Sequence, residues 1–235
     1  MLGDDVVMVR EIVFDTETTG LDPHQGDRLV EIGAVELINH LPTGRVYHQY
    51  INPLREVPED AFRIHGLSTE FLSNYPKFSD IAKDFLSFVG DDGIMVAHNA
   101  TFDMNFINYE LKHNGFDTLE KHEVIDTLQI SRQKFAGARN TLDALCHRFN
   151  IDNSKRTKHG ALLDAELLSE VYLELLGGAE PSMNFENSSN NEIKEQLNIN
   201  KNIRPKREFK ISEAEQQAHL DFLEQNIDDA VWLKL

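Results

Sequence analysis

The chain has 235 residues, enough for one core of ordinary size plus an extension, and its 40% hydrophobic content is that of a globular protein. No apolar run approaches the roughly 20 residues that span a bilayer, no secretory leader pattern opens the sequence, and a single cysteine, Cys146, allows no intramolecular disulfide; a cytoplasmic protein is expected. A net charge of −17 argues against a protein that holds nucleic acid by a basic surface of its own, and leaves those that use metal ions or a partner to do so.

In chain order, residues 9–15 predict a first strand. Ile12, Val13 and Phe14 are apolar β-formers, and Gly20 supplies the turn beyond them. Residues 28–38 and 45–51 predict two more strands, the latter entered through a turn at Pro42–Thr43–Gly44, so the chain opens as an antiparallel meander. Residues 58–62 predict a short helix leading into His65–Gly66. Residues 76–89 are amphipathic, with Phe78, Ile81, Phe85 and Phe88 at helical spacing, and residues 94–97 form a short buried strand. A helix over 102–114 is expected next, capped by Thr101 and followed by Gly115. Val124–Ile125 is the last strand, and helices over 126–135, 141–149 and 160–176 complete the domain. Cys146 lies on the apolar face of the second of these, as a buried thiol would. Strands first, then strands alternating with helices, predict an α/β domain around a mixed sheet.

Composition shifts after residue 178. Asn, Ser, Glu and Lys dominate residues 179–207 without periodicity, which predicts a flexible linker. A helical pattern returns over 211–227, where Ala214, Ala218, Phe222 and Leu223 share a stripe. Beyond it comes the apolar Ala230–Val231–Trp232–Leu233–Lys234–Leu235, whose natural destination is a partner surface.

Chemistry gathers on a few acids. Asp15 and Glu17 stand at i and i+2, so a strand presents both on one face. At about 5 Å and an effective dielectric of about 20 they repel by about 3 kcal/mol. A divalent cation turns that repulsion into attraction; the plainer reading is an acidic turn. Asp103 shares a helical face with Phe106, Ile107 and Glu110, either as metal ligand or as favourable charge in a first helical turn. Asp164 continues the stripe of Leu168, Val171 and Leu175, and buried carboxylates are rare unless paired, hydrogen-bonded or bound to metal; the plainer reading is a buried salt bridge. His159 precedes it in the basic loop Lys155–Arg156–Thr157–Lys158–His159, where an imidazole could take a proton from water and the loop could meet phosphate.

Asp15-x-Glu17, then Asp103 after His98–Asn99–Ala100, then His159 with Asp164 together resemble the DEDDh class of 3′–5′ exonucleases. The resemblance covers about residues 10–178. The stretches Phe14–Asp15–Thr16–Glu17–Thr18–Thr19–Gly20–Leu21, Glu31–Ile32–Gly33–Ala34, Arg139–Asn140–Thr141–Leu142–Asp143–Ala144–Leu145–Cys146 and Asp152–Asn153–Ser154–Lys155–Arg156 resemble in particular the epsilon proofreading family of bacterial DNA polymerase III.

The resemblance implies an RNase H-like fold, a five-stranded mixed sheet flanked by helices, with a flexible C-terminal tail. It implies that Asp15, Glu17, Asp103 and Asp164 hold two Mg²⁺ or Mn²⁺ ions and that His159 is the general base. Thr18, Ile64 and His65, with Asp15, Glu17 and Asp164, would meet the terminal nucleotide of a single-stranded or frayed DNA 3′ end. Asn99 would hold the loop before Asp103, and His98 would be structural. Residues 1–178 would be the nuclease, 179–210 the linker and 211–235 the tail that docks on the polymerase alpha subunit. Glu180–Pro181–Ser182–Met183–Asn184–Phe185 sits where the family binds its sliding clamp, with Glu in place of the usual Gln. A tether of this length, reaching about 30 Å, would hold the nuclease at millimolar effective concentration near the primer end. The protein would then be a cytoplasmic, nucleoid-associated replisome component without membrane contact. A stand-alone DEDDh ribonuclease trimming RNA 3′ ends, or a replisome scaffold with weak chemistry, would share much of this pattern.

Overall fold

The computed structural model describes residues 8–178 and 212–226. The chain divides into two compact units between Met183 and Asn184. In the first, a five-stranded sheet has the order β3-β2-β1-β4-β5. Its strands are β1 (Arg10–Thr18), β2 (Leu29–Ile38), β3 (Leu41–Tyr50), β4 (Ile94–Ala97) and β5 (Val124–Asp126). β1 is antiparallel to β2 and parallel to β4, and β4 is parallel to β5. The mixed sheet expected from the sequence is therefore present, with β1 in the middle.

Seven helices belong to this unit among the described residues: α1 (Glu59–His65), α2 (Thr69–Leu72), α3 (Phe78–Val89), α4 (Ala100–His113), α5 (Thr127–Lys134), α6 (Leu142–Phe149) and α7 (Ala161–Leu176). The alternation of β1 separates two cores. Ile12 and Phe14 pack with α3 and α4 residues such as Phe85, Phe106 and Ile107. Val13 faces the other way, into Leu145, Cys146, Leu168 and Val171 of α6 and α7. Burial of β1 on both faces accounts for its apolar opening run.

Two local expectations are corrected, and one short helix is new. The hairpin between β2 and β3 turns at Asn39–His40, both at positive φ (50° and 67°), and not at Pro42–Thr43–Gly44, which lies inside β3. A two-residue loop of that hand suits the sheet's twist, and Pro42 is tolerated because β3 is an edge strand. Helix α4 begins slightly earlier than expected: its N-cap is Asn99, in the left-handed region at φ 70°, and Thr101 is already helical. The four-residue α2, capped by the Ser68 hydroxyl, has no periodicity long enough to read from sequence.

One glycine fixes the relation of sheet to site. A Cβ on Gly33 of β2 would overlap the backbone nitrogen of Leu162 and the carbonyl carbon of Ala161, so α7 rests directly on β2 at its first turn. Gly33 also pairs with Asp15 across the β1–β2 ladder. We expect Gly33→Ala to cost about 1–3 kcal/mol or more in urea unfolding, because backbone cannot rotate aside as a side chain can. Hydrolysis should fall with it, since the displaced segment carries Asp164.

In the second unit, residues 213–226 form α8 (Glu213–Asn226), opened by a reciprocal cap in which Ser212 and Glu215 bond each other's backbone nitrogens. The helix expected over 211–227 is present, with Ala214, Ala218 and Phe222 exposed. The linker, the Glu180 to Phe185 segment and the apolar run 230–235 lie outside the described residues. No helix among the described residues is long and apolar enough to cross a membrane.

Candidate active site

β1, β4 and β5 run parallel, so their carboxyl ends open on the same side of the sheet, where ligands bind in open α/β folds. Asp15 and Glu17 occupy the end of β1. Asp103 arrives from the first turn of α4, which follows directly from β4. Its Oδ1 accepts hydrogen bonds from the Thr16 amide (3.1 Å) and the Thr16 hydroxyl (2.7 Å), which tie the helix to the strand. Asp164 arrives from the first turn of α7, on the side of the sheet that Val13, Asp15 and Glu17 face. The structure thus brings all four acids together. Asp15, Glu17, Asp103 and His159 line one cleft of about 550 Å³, and Asp15, His159 and Asp164 line a second beside it.

The electrostatics are those of crowded carboxylates. Burial pushes Asp15 well above the carboxylate range, and Asp103, Glu17 and Asp164 push it further. Asp15 keeps part of its solvent contact, so protein packed around the carboxyl supplies this burial without closing it off. Burial and then Glu31 push Glu17 up to about 8. Burial lifts Asp103 to about 7 against the opposing pull of the Thr16 bonds. Asp164 is the exception. Burial raises it too, but the Arg156 guanidinium more than offsets this and holds it below its ordinary value.

These shifts set a sign for stability against pH. Between the unfolded carboxylate value, about 4.3 for Glu, and the folded values near 7 and 8, the folded state carries more protons than the unfolded one. Stability is fully present below that window and falls as pH rises through it. Asp164 has the opposite sign, but its loss comes as pH falls through its lowered value, outside the window. In EDTA, melts should therefore show a declining Tm from pH 5.5 to 8.5. Glu17→Gln should lessen the decline, and saturating Mn²⁺ should flatten it, since a cation favours the ionised acids.

His159 stands at the rim, its side chain 49% exposed. Its amide donates to the Ile64 carbonyl (3.3 Å), which docks the basic loop onto α1. Its Nδ1 lies 3.3 Å from Asp164 Oδ2 and 2.9 Å from Arg156 Nη2. A guanidinium only donates, so the ring nitrogen accepts from Arg156. Ligand atoms of Glu17, His159 and Asp164 all lie within 4.8 Å of one another.

Of the residues expected near a terminal nucleotide, Asp15, Glu17, Thr18, Ile64 and His65 line the first cleft, and Asp164 lines the second. The Thr18 hydroxyl donates to the Gly20 carbonyl (2.6 Å) and shapes the turn after β1. Helix α1 ends at Gly66, left-handed at φ 78°, and this stop leaves Ile64 53% exposed and His65 buried. His65 Nδ1 accepts from the Leu67 amide (3.0 Å). Its Nε2 is buried and has no hydrogen-bond partner among the described residues. His98 contacts the Thr127 hydroxyl (2.9 Å) and the Asn140 carbonyl (2.8 Å), a structural placement. The Asn99 amide donates to Asp126 Oδ1 (3.0 Å), which holds the loop before Asp103.

Sequence reasoning missed three participants. Glu31, buried opposite Glu17 in the β1–β2 ladder and paired with His48 (2.7 Å), adds to the acid cluster. Arg156, read from sequence as part of a phosphate-facing loop, turns inward onto Asp164, and Asp143 holds its outer side. Strand register could have revealed Glu31; no local pattern signals the other two.

A sheet of this order, with two carboxylates at the end of its central strand and two more brought to them by the first turns of α4 and α7, defines an RNase H-like nuclease. Residues 12–172 match the Exonuclease (RNase_T) family model. The chain is 49% identical over 221 residues to the DNA polymerase III subunit epsilon of Rickettsia felis, covering 92% of this chain and 96% of the relative. It is 42% identical over 232 residues to that of Haemophilus influenzae, covering 91% and 89%. The nuclease domain of 3′hExo, a DEDDh family member solved with rAMP, shares the fold at a TM-score of 0.60 and 14% identity, over 73% of this chain and 94% of that one. The chain belongs to the exonuclease family and, within it, to the epsilon subunits of bacterial DNA polymerase III.

Proposed function

We propose that the chain hydrolyses mispaired 3′-terminal nucleotides of DNA during replication and releases nucleoside 5′-monophosphates. The observation that carries this reading is the convergence of Asp15, Glu17, Asp103 and Asp164, with His159 at the rim, at the carboxyl end of β1. The donors suit a hard divalent cation: they are carboxylates, three of them pushed above their ordinary range by burial. Asp15, Glu17, Asp103 and Asp164 would hold two Mg²⁺ or Mn²⁺ ions, for which an oxygen donor set is equally suited. When bound, such ions polarise the phosphodiester and offset charge on the departing 3′ oxygen.

The protein's own groups do the rest. His159, open to solvent beside Asp164, takes the proton of the attacking water. Ile64 offers an apolar surface to the terminal base. The unpaired Nε2 of His65 and the backbone at Thr18 offer hydrogen bonds to the sugar end. Residues 1–178 are the nuclease, joined through 179–210 to 211–235, a tail for the polymerase alpha subunit. Glu180 to Phe185 is the contact for the sliding clamp, with Met183 and Phe185 as its apolar anchors. Delivery by the polymerase reconciles a DNA substrate with a net charge of −17, and places the protein in the cytoplasmic, nucleoid-associated replisome.

Two experiments test this reading. Product analysis should show nucleoside 5′-monophosphates, lost in EDTA. Co-elution with the alpha subunit should be lost when the residues after 178 are deleted. Equal trimming of RNA ends without partner binding would favour the stand-alone ribonuclease, and an inert wild type in Mn²⁺ would favour the scaffold.

A further inference from the structure

Arg156 is the one residue of its basic loop that points into the molecule. Its neighbours Lys155, Thr157, Lys158 and His159 are exposed, whereas its own side chain is 7% exposed. The guanidinium has a definite set of partners. Nε donates to Asp164 Oδ1 (2.5 Å) and Nη2 to Asp164 Oδ2 (2.7 Å), a two-pronged grip on a carboxylate that is itself 3% exposed. Nη2 also reaches His159 Nδ1 (2.9 Å). On the outer side, Nη1 meets Asp143 Oδ2 (2.8 Å). Asp143 is 57% exposed, and the Asn153 amide holds its other oxygen (2.9 Å). One cation therefore bridges an acid of the active site and an acid of the surface.

We propose that Arg156 is a built-in counter-cation that competes with the divalent metal for Asp164, and that Asp143 is the seat onto which its guanidinium withdraws as metal enters. The physical case is one of charge and space. Both oxygens of Asp164 are committed to the fork, the strongest arrangement a guanidinium makes with a carboxylate. Either oxygen that Asp164 would offer a cation is one that Arg156 already grips. A divalent ion there would stand against a full positive charge in a site of low dielectric, so the two cannot hold Asp164 on the same terms. Asp143 keeps Arg156 paired when it yields, which removes the cost of leaving a buried charge alone. The same guanidinium lowers Asp15 and Glu17, so it serves the whole cluster. Arg156 is thus a positioning residue that sets how tightly the site holds metal.

The inference rests on the divalent-metal reading given above, and the test separates the two. Mn²⁺ binding to the full chain without DNA would be measured by electron paramagnetic resonance of the free ion, with melts in EDTA and in Mn²⁺. Arg156→Gln should bind Mn²⁺ at least tenfold more tightly, lower Tm in EDTA, and gain more Tm from Mn²⁺ than the wild type does. Asp143→Asn should weaken Mn²⁺ binding in the wild-type background and leave it unchanged in the Arg156→Gln background, because its effect acts through the arginine. Unchanged or weaker Mn²⁺ binding in Arg156→Gln, or equal Tm losses in EDTA and Mn²⁺, would overturn the inference. If Arg156→Gln does not fold, Arg156→Lys serves: an ammonium cannot make the fork, so Mn²⁺ should bind more tightly, and unchanged affinity would overturn the proposal. No Mn²⁺ binding by the wild type would instead overturn the metal reading itself.

Discussion

Asp15→Asn should abolish metal-dependent hydrolysis and, in EDTA, make the protein more stable. The two effects have one cause. Asp15 sits among Asp103, Glu17 and Asp164, all of which raise it, and it borders both clefts. Each carboxylate about 5 Å away costs about 3 kcal/mol at an effective dielectric of about 20 once both are ionised. An amide of the same shape carries none of that repulsion and also none of the attraction for a cation. The gain in EDTA should be about 1–3 kcal/mol, or several degrees in Tm. It should grow from pH 6 to pH 9, because protonation relieves the native cluster at the lower pH. The stabilisation that Mn²⁺ gives the wild type should be largely lost. A fall in Tm in EDTA at pH 9 would contradict the account of Asp15 as a strained member of a charge cluster.

His159→Ala should lower turnover by about 10²–10⁴ and change Mn²⁺ affinity by no more than about threefold. The imidazole stands half-exposed at the rim and is anchored through its backbone, by the bond to the Ile64 carbonyl, so truncation leaves the loop in place. Its proximity to Glu17 and Asp164 also allows a different role, as a metal ligand. The kinetic split decides between them. Loss of a base removes a proton acceptor in the transition state and spares the ground-state complex, whereas loss of a ligand lowers metal affinity and turnover in step. A matched loss in both would sink the assignment of His159 as base.

Most of the frame is legible in the amino-acid sequence, for physical reasons that can be named. β1 is buried on both faces and therefore reads as an apolar run, and the period of two places Asp15 and Glu17 together. Asp103 and Asp164 each sit on an apolar helical stripe, and the structure buries both. The buried neighbour Glu110, on the stripe of Asp103, is structural, gripped by Arg28 at 2.6 Å through both oxygens. What is not legible depends on contacts between distant segments. The inward turn of Arg156 is decided by Asp143 and Asp164, not by its own loop, whose composition suggests an outward, phosphate-facing surface. Glu31 opposes Glu17 only because of the ladder's register. The Asn39–His40 turn and the left-handed Asn99 replace Pro42–Thr43–Gly44 and Thr101 because hairpin twist and the tie to Asp126 outweigh residue preference.

The central claim is that this cluster removes nucleotides from a DNA 3′ end by metal-dependent hydrolysis. The most direct test uses a 5′-labelled primer with a mismatched 3′ terminus on a DNA template, incubated with the full chain in Mg²⁺ or Mn²⁺ and in EDTA. A ladder that shortens from the 3′ end, faster for the mismatched than for the paired terminus and absent in EDTA, is the predicted result. Internal cleavage, shortening that persists in EDTA, or no shortening by the wild-type chain in Mn²⁺ would contradict it.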